Sequence, residues 1–175
     1  MFRAVSLILL STLCWSASSP RFVTQQIVNR YDEVDFRVKG IGLGSTYASV
    51  LRQLGRPLSS KRERIVDKYE VCGPPYTSLR LSYEGAAVEL RGDLRWRNFE
   101  VVSMEITSPQ FLIAPGVKVD MTEKEIRSKL GVPFQQRHES GVLILNYATK
   151  GNNGGAGLHF VSGRLVKLEW EYTLC

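Results

Sequence analysis

Val119-Asp-Met-Thr-Glu-Lys-Glu-Ile-Arg-Ser-Lys-Leu-Gly-Val-Pro133 reads as one short, fully punctuated helix. Thr122 and Glu125 have the spacing of a capping box, in which the Thr hydroxyl accepts from the Glu125 amide and the carboxylate accepts from the Thr122 amide. Met121 before the cap and Ile126 inside the helix are spaced for a hydrophobic staple. Ile126 and Leu130 are four apart and share a face. Gly131 supplies a left-handed exit and Pro133 blocks resumption. A helix of about two turns is too short to persist alone in water, where roughly 12–15 residues are needed. Ile126 and Leu130 must therefore be packed on something, and the strand-like segments that follow suggest a sheet.

Shifted back by 76 residues, the same signals recur. Gly116, Thr122, Leu130, Gly131 and Pro133 fall on Gly40, Thr46, Leu54, Gly55 and Pro57. Val117, Val119 and Ile126 fall on Ile41, Leu43 and Val50. The matches are the cap, core and exit positions, which points to an internal duplication. Downstream, Leu143, Leu145 and Tyr147 match Leu79, Leu81 and Tyr83 at an offset of 64, and Leu158 and Phe160 match Val88 and Leu90 at 70. Val166, Leu168, Glu169 and Trp170 match Val102, Met104, Glu105 and Ile106, again at 64. The offset changes only in expected loops, where length divergence is tolerated.

This pattern predicts an α+β fold. It would consist of two tandem helix-plus-antiparallel-sheet repeats at 40–108 and 109–175, with the helices packed on one sheet face. Alternating apolar positions predict strands at Val34–Val38, Leu79–Tyr83, Val88–Leu90 and Val102–Ile106. Lys61–Arg64 reads as a basic loop, Arg137–Ser140 as a turn, and Leu90–Arg97 as a long hairpin connection.

The chain has 175 residues and a formal charge of +6, with 43% hydrophobic and 23% charged residues. That is an ordinary globular composition. The charge favours acidic partners but is modest for a nucleic-acid binder, so no nucleic acid is expected. Arg3, the apolar run Ala4–Cys14 and the small residues Ser16–Ser19 match a secretory signal peptide over 1–18. Residues 19–39 then read as an arm and lead strand. Leu13 stands before Cys14 where lipid attachment wants a small residue, which argues against acylation there. An extracytoplasmic bacterial protein follows, periplasmic or secreted, with peripheral membrane association and oligomeric state left open.

Removal of the leader leaves Cys72 and Cys175, an even count that in an exported chain suggests one disulfide. Such a bond would close a loop of about 100 residues, worth up to about 4–5 kcal/mol in the chain-entropy model. A pair of buried free thiols is the alternative.

Neither His138 nor His159 lies in a zinc-ligand spacing, and thiol-redox and hydrolase-elbow signatures do not occur. No cofactor or metal is expected, and a binder is favoured over an enzyme. His159, Glu105, Glu169 and Glu171 belong to the polar faces of their strands. Gly40–Thr46 superficially resembles a phosphate loop but lacks its Lys. The binding candidates are Arg91, Arg95, Trp96 and Arg97 on one loop, with Tyr76 beside Pro74–Pro75, because Arg and the large aromatics dominate interface hot spots.

The stretch "DMTEKEIRSKLGVP" followed by "LILNYATKGNNGGAGLHFVSGRLVKLEW" resembles the BamE/SmpA/OmlA family of small outer-membrane lipoproteins. The matching positions are Met121, Thr122, Ile126, Leu130, Gly131, Pro133, Tyr147, Phe160, Gly163 and Val166, while Asp120 stands where the family has Gly. The tandem arrangement is similar to beta-lactamase-inhibitor proteins. The resemblance implies a non-catalytic protein-binding module of the envelope, an assembly or scaffold component. The other role it implies is an inhibitor or immunity protein of a periplasmic or secreted enzyme.

Overall fold

A computed structural model describes residues 33–66, 75–93, 98–150 and 154–172. In chain order the elements are β1 (Arg37–Val38), α1 (Tyr47–Leu54), β2 (Ser59–Ile65), β3 (Tyr76–Tyr83), β4 (Ala86–Gly92) and β5 (Glu100–Ile106). They continue with β6 (Ile113–Ala114), α2 (Glu123–Leu130), β7 (Gln135–Glu139), β8 (Val142–Ala148), β9 (Gly155–Val161) and β10 (Arg164–Glu171).

Eight strands form one antiparallel sheet in the order β2-β3-β4-β5-β10-β9-β8-β7, and β1 pairs with β6 in a separate two-stranded ladder. This overturns the expectation of an α+β fold with two tandem helix-plus-sheet repeats. Among the described residues the molecule is mainly β, with two eight-residue helices against one eight-stranded sheet. The fusion occurs at a seam between β5 and β10, where Leu168 faces Ile106, Glu169 faces Glu105 and Trp170 faces Met104. Repeat offsets compare each strand with its counterpart and carry no information about which strands become neighbours.

Each helix forms where its punctuation says. Thr122 accepts from the Glu125 amide at 3.3 Å, and Glu125 Oε2 accepts from the Thr122 amide at 2.8 Å, a complete capping box. Thr46 caps α1 by accepting from the Ser49 amide at 3.3 Å and also meets the Ser49 hydroxyl at 3.0 Å, with no carboxylate to return to its own amide. Gly55 and Gly131 follow the last turns at φ 81° and 77°, conformations that a side chain would resist. Val50, Ile126 and Leu130 are buried in the same core cluster as the sheet residues Leu81, Val88, Met104, Leu158 and Trp170. The hydroxyl of Tyr83 donates to the Gly55 carbonyl and that of Tyr147 to the Gly131 carbonyl, which anchors both helix ends on one face of the sheet. The N-terminal segment joins them there: Phe36 packs against Trp170 with ring centroids 6.1 Å apart, and Val34 bridges to Thr149.

Two expected loops are strands. Lys61–Arg64 lies in β2 and His138 in β7, the two outer strands of the sheet, and nearly every residue of both is exposed. Neither carries apolar alternation, the signal by which a half-buried strand is read; they form by pairing with β3 and β8. Arg91 likewise belongs to β4 rather than to a loop. Among the described residues no helix is long and apolar enough to cross a membrane.

Candidate functional site

The alternation of each strand sends one set of side chains to the helices and the other to the opposite, uncovered face. On that open face the registers align Ala87, Glu105, Glu169, Gly157, Asn146 and Gln135 across six strands. A neighbouring row carries Arg80, Glu89, Ser103, Glu171 and Gly155. Most of these side chains are half-buried among their neighbours. The face is thus an ordered polar surface.

Its most tightly linked group lies on β9 and β10. His159 Nε2 and Glu169 Oε1 are 2.7 Å apart, and Lys167 Nζ donates to Glu169 Oε2 at 2.8 Å. The bare α-carbon of Gly157 lies between them. A methyl group there would meet His159 Nε2 at 3.4 Å, Glu169 Oε1 at 3.5 Å and Asn146 Oδ1 at 3.6 Å. Glycine at 157 therefore leaves three polar atoms in van der Waals reach of one bare backbone position. Partial burial pushes the Glu169 carboxyl up, but hydrogen bonds from Lys167 and His159 outweigh it and hold the group below the usual carboxylate range. Beside them Ile144, opposite His159 and Arg137, is buried although it lies on the open side.

The other half of the face holds two of the residues singled out from sequence. The guanidinium of Arg91 stands 3.8 Å from the centroid of the Tyr76 ring, a cation–π stack. Ser78 donates to Glu89 at 2.9 Å, and Arg80 stands 4.0 Å from Glu105. Arg95, Trp96 and Arg97 lie outside the described residues, as do Cys72, Cys175, Cys14 and the signal-peptide segment. Sequence reasoning missed Lys167 and Asn146. The alternation Lys167-x-Glu169 was readable, but only the register places His159 across from Lys167 and Asn146 across from Gly157.

The remaining motifs resolve locally. In Gly40–Thr46, Gly40 and Gly44 adopt φ 81° and 76°, and the Gly42 amide donates to Ser45 Oγ at 3.1 Å, so the glycines build the turn into α1. His138 is exposed on β7. Among the described residues no cluster of three or more His, Cys, Asp or Glu could hold a metal ion.

No family model matches the chain, including the BamE-type family that its helix motif resembles, and no curated protein matches it. Among solved structures it is similar to an extracellular protein containing an SCP domain from Bacillus anthracis, at 14% identity and TM-score 0.42, over 75% of this chain and 44% of that one. A cysteine-rich secretory protein from Staphylococcus aureus follows at 10% identity and TM-score 0.49, over 81% and 47%. A provisionally assigned beta-lactamase inhibitor protein from Streptococcus mutans stands at 17% identity and TM-score 0.28, over 79% and 90%. The chain spans less than half the length of the first two. At these scores the likenesses carry no argument about function.

Proposed function

We propose that this chain is an exported, non-catalytic protein-binding module whose contact surface is the open face of the eight-stranded sheet. One observation carries the reading: that face is broad, uncovered by any described element, and already ordered by its own side-chain contacts. Eight strands about 4.8 Å apart, each about seven residues long at roughly 3.3 Å per residue, give a face of about 800 Å². That is the same order as the surface each partner buries in a standard protein interface, about 800 Å². The Tyr76–Arg91 stack and the Lys167–Glu169–His159 cluster hold side chains in place before any partner arrives, which lowers the entropy lost on binding. The Nε2 of His159 is engaged by a carboxylate rather than by a hydroxyl or thiol, as in an anchored surface pair rather than a nucleophile with its base.

The test is affinity capture from cell-envelope extract with the wild-type chain and two open-face variants, Tyr76→Ala/Arg91→Ala and His159→Ala/Lys167→Ala. Loss of one partner with both variants supports the reading, and undiminished capture by both overturns it. The identity of the partner then decides between roles. An envelope-assembly protein makes the chain a scaffold component, whereas a secreted or periplasmic enzyme whose activity falls on binding makes it an inhibitor or immunity protein.

A further inference from the structure

At the outer edge of the sheet, on the helix side, an open groove of about 470 Å³ runs between α1 and β2, lined by Tyr47, Leu51, Arg56, Pro57, Leu58 and Ser60. Leu58 is 77% exposed and Tyr47 37%. The same place beside α2 is built differently. One residue after its cap α2 carries Glu123 and five after it Arg127, which donates to Glu123 at 2.7 Å and across to Gln136 of β7 at 2.6 Å. Those three polar side chains tie α2 to its neighbouring strand. At the corresponding positions α1 carries Tyr47 and Leu51, and β2 carries Ser60, so apolar groups replace the tie and the groove stays open.

Beside the groove runs an edge strand. β2 pairs with β3 on one side, and among the described residues no strand pairs with the other. Outward N–H and C=O groups of such a strand can accept a further strand. The surroundings are cationic: between positions 52 and 64 the chain has Arg52, Arg56, Lys61, Arg62 and Arg64 against Glu63 alone. Arg62 stands over the Phe99 ring at 5.6 Å and Lys61 pairs with Glu63. Arg56 lines the groove itself. This charge repels a second β2 strand and favours a strand of opposite sign.

We propose that this groove seats an extended acidic segment of a partner protein carrying one large apolar side chain. Its backbone would continue the sheet along β2, its apolar side chain would fill the space between Tyr47, Leu51 and Leu58, and its carboxylates would face Arg56 and Arg64. The site is on the opposite face from Tyr76–Arg91 and does not depend on the open-face reading.

The test uses a fluorescein-labelled ten-residue peptide of alternating Glu and Val with a central Phe, its Lys-for-Glu counterpart, and the full chain. Fluorescence polarisation should show saturable binding of the acidic peptide with a Kd of roughly 10–100 µM, weakening as salt is raised. Leu58→Asp, at a side chain too exposed to matter for folding, should weaken binding about tenfold. Tyr47→Glu/Leu51→Arg, which installs the Glu–Arg pair of α2 in place of the apolar lining, should do the same, while Tyr76→Ala/Arg91→Ala on the open face should leave binding unchanged. Amide shifts should map to β2. Absence of saturable binding at about 1 mM peptide, equal binding of the Lys counterpart, or shifts confined to the open face would each overturn the proposal.

Discussion

Glu105 of β5 and Glu169 of β10 stand directly opposite each other across the seam of the sheet. Like charges so placed repel, yet each carboxylate is turned to a cation on its own side: Arg80 at 4.0 Å for Glu105, Lys167 at 2.8 Å for Glu169. The two are unequal, because Glu169 also has His159 at 2.7 Å. Neutralising each should therefore give different results. Glu169→Gln should cost about 1 kcal/mol, a figure already reduced for its partial exposure. Glu105→Gln should change stability by less than about 0.5 kcal/mol, its loose pair being offset by relief of repulsion. Urea denaturation at neutral pH measures both, and equal losses would contradict this assignment of partners.

The same cluster sets an acid limb. The folded-state pKa of Glu169 lies below its ordinary value, with burial opposing and the Lys167 and His159 hydrogen bonds prevailing. A depressed carboxylate stabilises the fold above its unfolded pKa, about 4.3, and that contribution is lost as pH falls through the lower folded value. Lys167→Met removes one of the two hydrogen bonds. NMR titration of Glu169 should then move up toward the ordinary range, and the acid loss of stability should become smaller and be complete at higher pH. An unchanged titration would show that Lys167 does not hold the carboxylate.

The seam also predicts how the molecule unfolds. Leu168 and Ile106 face each other and both are fully buried, within one core cluster that runs from Val34 to Trp170. Leu168→Ala should cost about 2–5 kcal/mol, and the whole sheet should melt in one transition. Circular dichroism and tryptophan fluorescence should report the same midpoint. Separate transitions for the strands on the two sides of the seam would mean that β5 and β10 do not bind them into one unit.

Much of this was legible and some was not, for physical reasons. The helices were, because their caps and Gly-x-Pro exits are local chemistry: Thr46, Gly55, Thr122 and Gly131 act within a few residues of themselves. The inner strands were, because burial of one face imposes the alternation of Leu79, Leu81 and Tyr83. The outer strands were not. Ser59–Ile65 and Gln135–Glu139 are exposed on both faces, so nothing selects an alternating pattern there. The seam was not legible either, since Ile106 and Leu168 would be buried whether their strands met each other or separate sheets. Of the candidate site, the polar character of His159 and Glu169 followed from alternation, but their contact depends on the β9–β10 register, a tertiary fact.

The cap offers a residue-level check. Glu125 titrates below the usual carboxylate range because the Thr122 amide and then the Thr122 hydroxyl donate to it. Thr122→Ala removes the hydroxyl and the acceptor for the Glu125 amide. The expected cost is about 1 kcal/mol, together with an upward move of the Glu125 titration seen by NMR. Thr46→Ala should lose no more than this, since its cap lacks the returning carboxylate. A larger loss at Thr46 than at Thr122 would argue that the capping box adds nothing.

Asp120 provides the last test, because two effects compete there. Its φ is +78°, in the left-handed region that glycine adopts freely and other residues only at a cost. Gly44, two residues before the Thr46 cap as Asp120 is before Thr122, has a φ of +76°. Opposing the strain, the Asp120 carboxylate accepts from Arg164 at 3.4 Å, a pair exposed on both sides. The shorter contact from Arg164, 2.9 Å, goes to the Asp120 backbone carbonyl, which a glycine would keep. An exposed pair contributes about 0–1 kcal/mol, while a left-handed non-glycine residue costs about 1 kcal/mol or more. Asp120→Gly should therefore stabilise the fold slightly, by about 0.5 kcal/mol, even after the added freedom of glycine in the unfolded chain. Asp120→Ala keeps the strain and loses the carboxylate, so it should destabilise. If thermal denaturation showed Asp120→Gly to be the less stable of the two, the carboxylate–Arg164 pair rather than the backbone would govern this position.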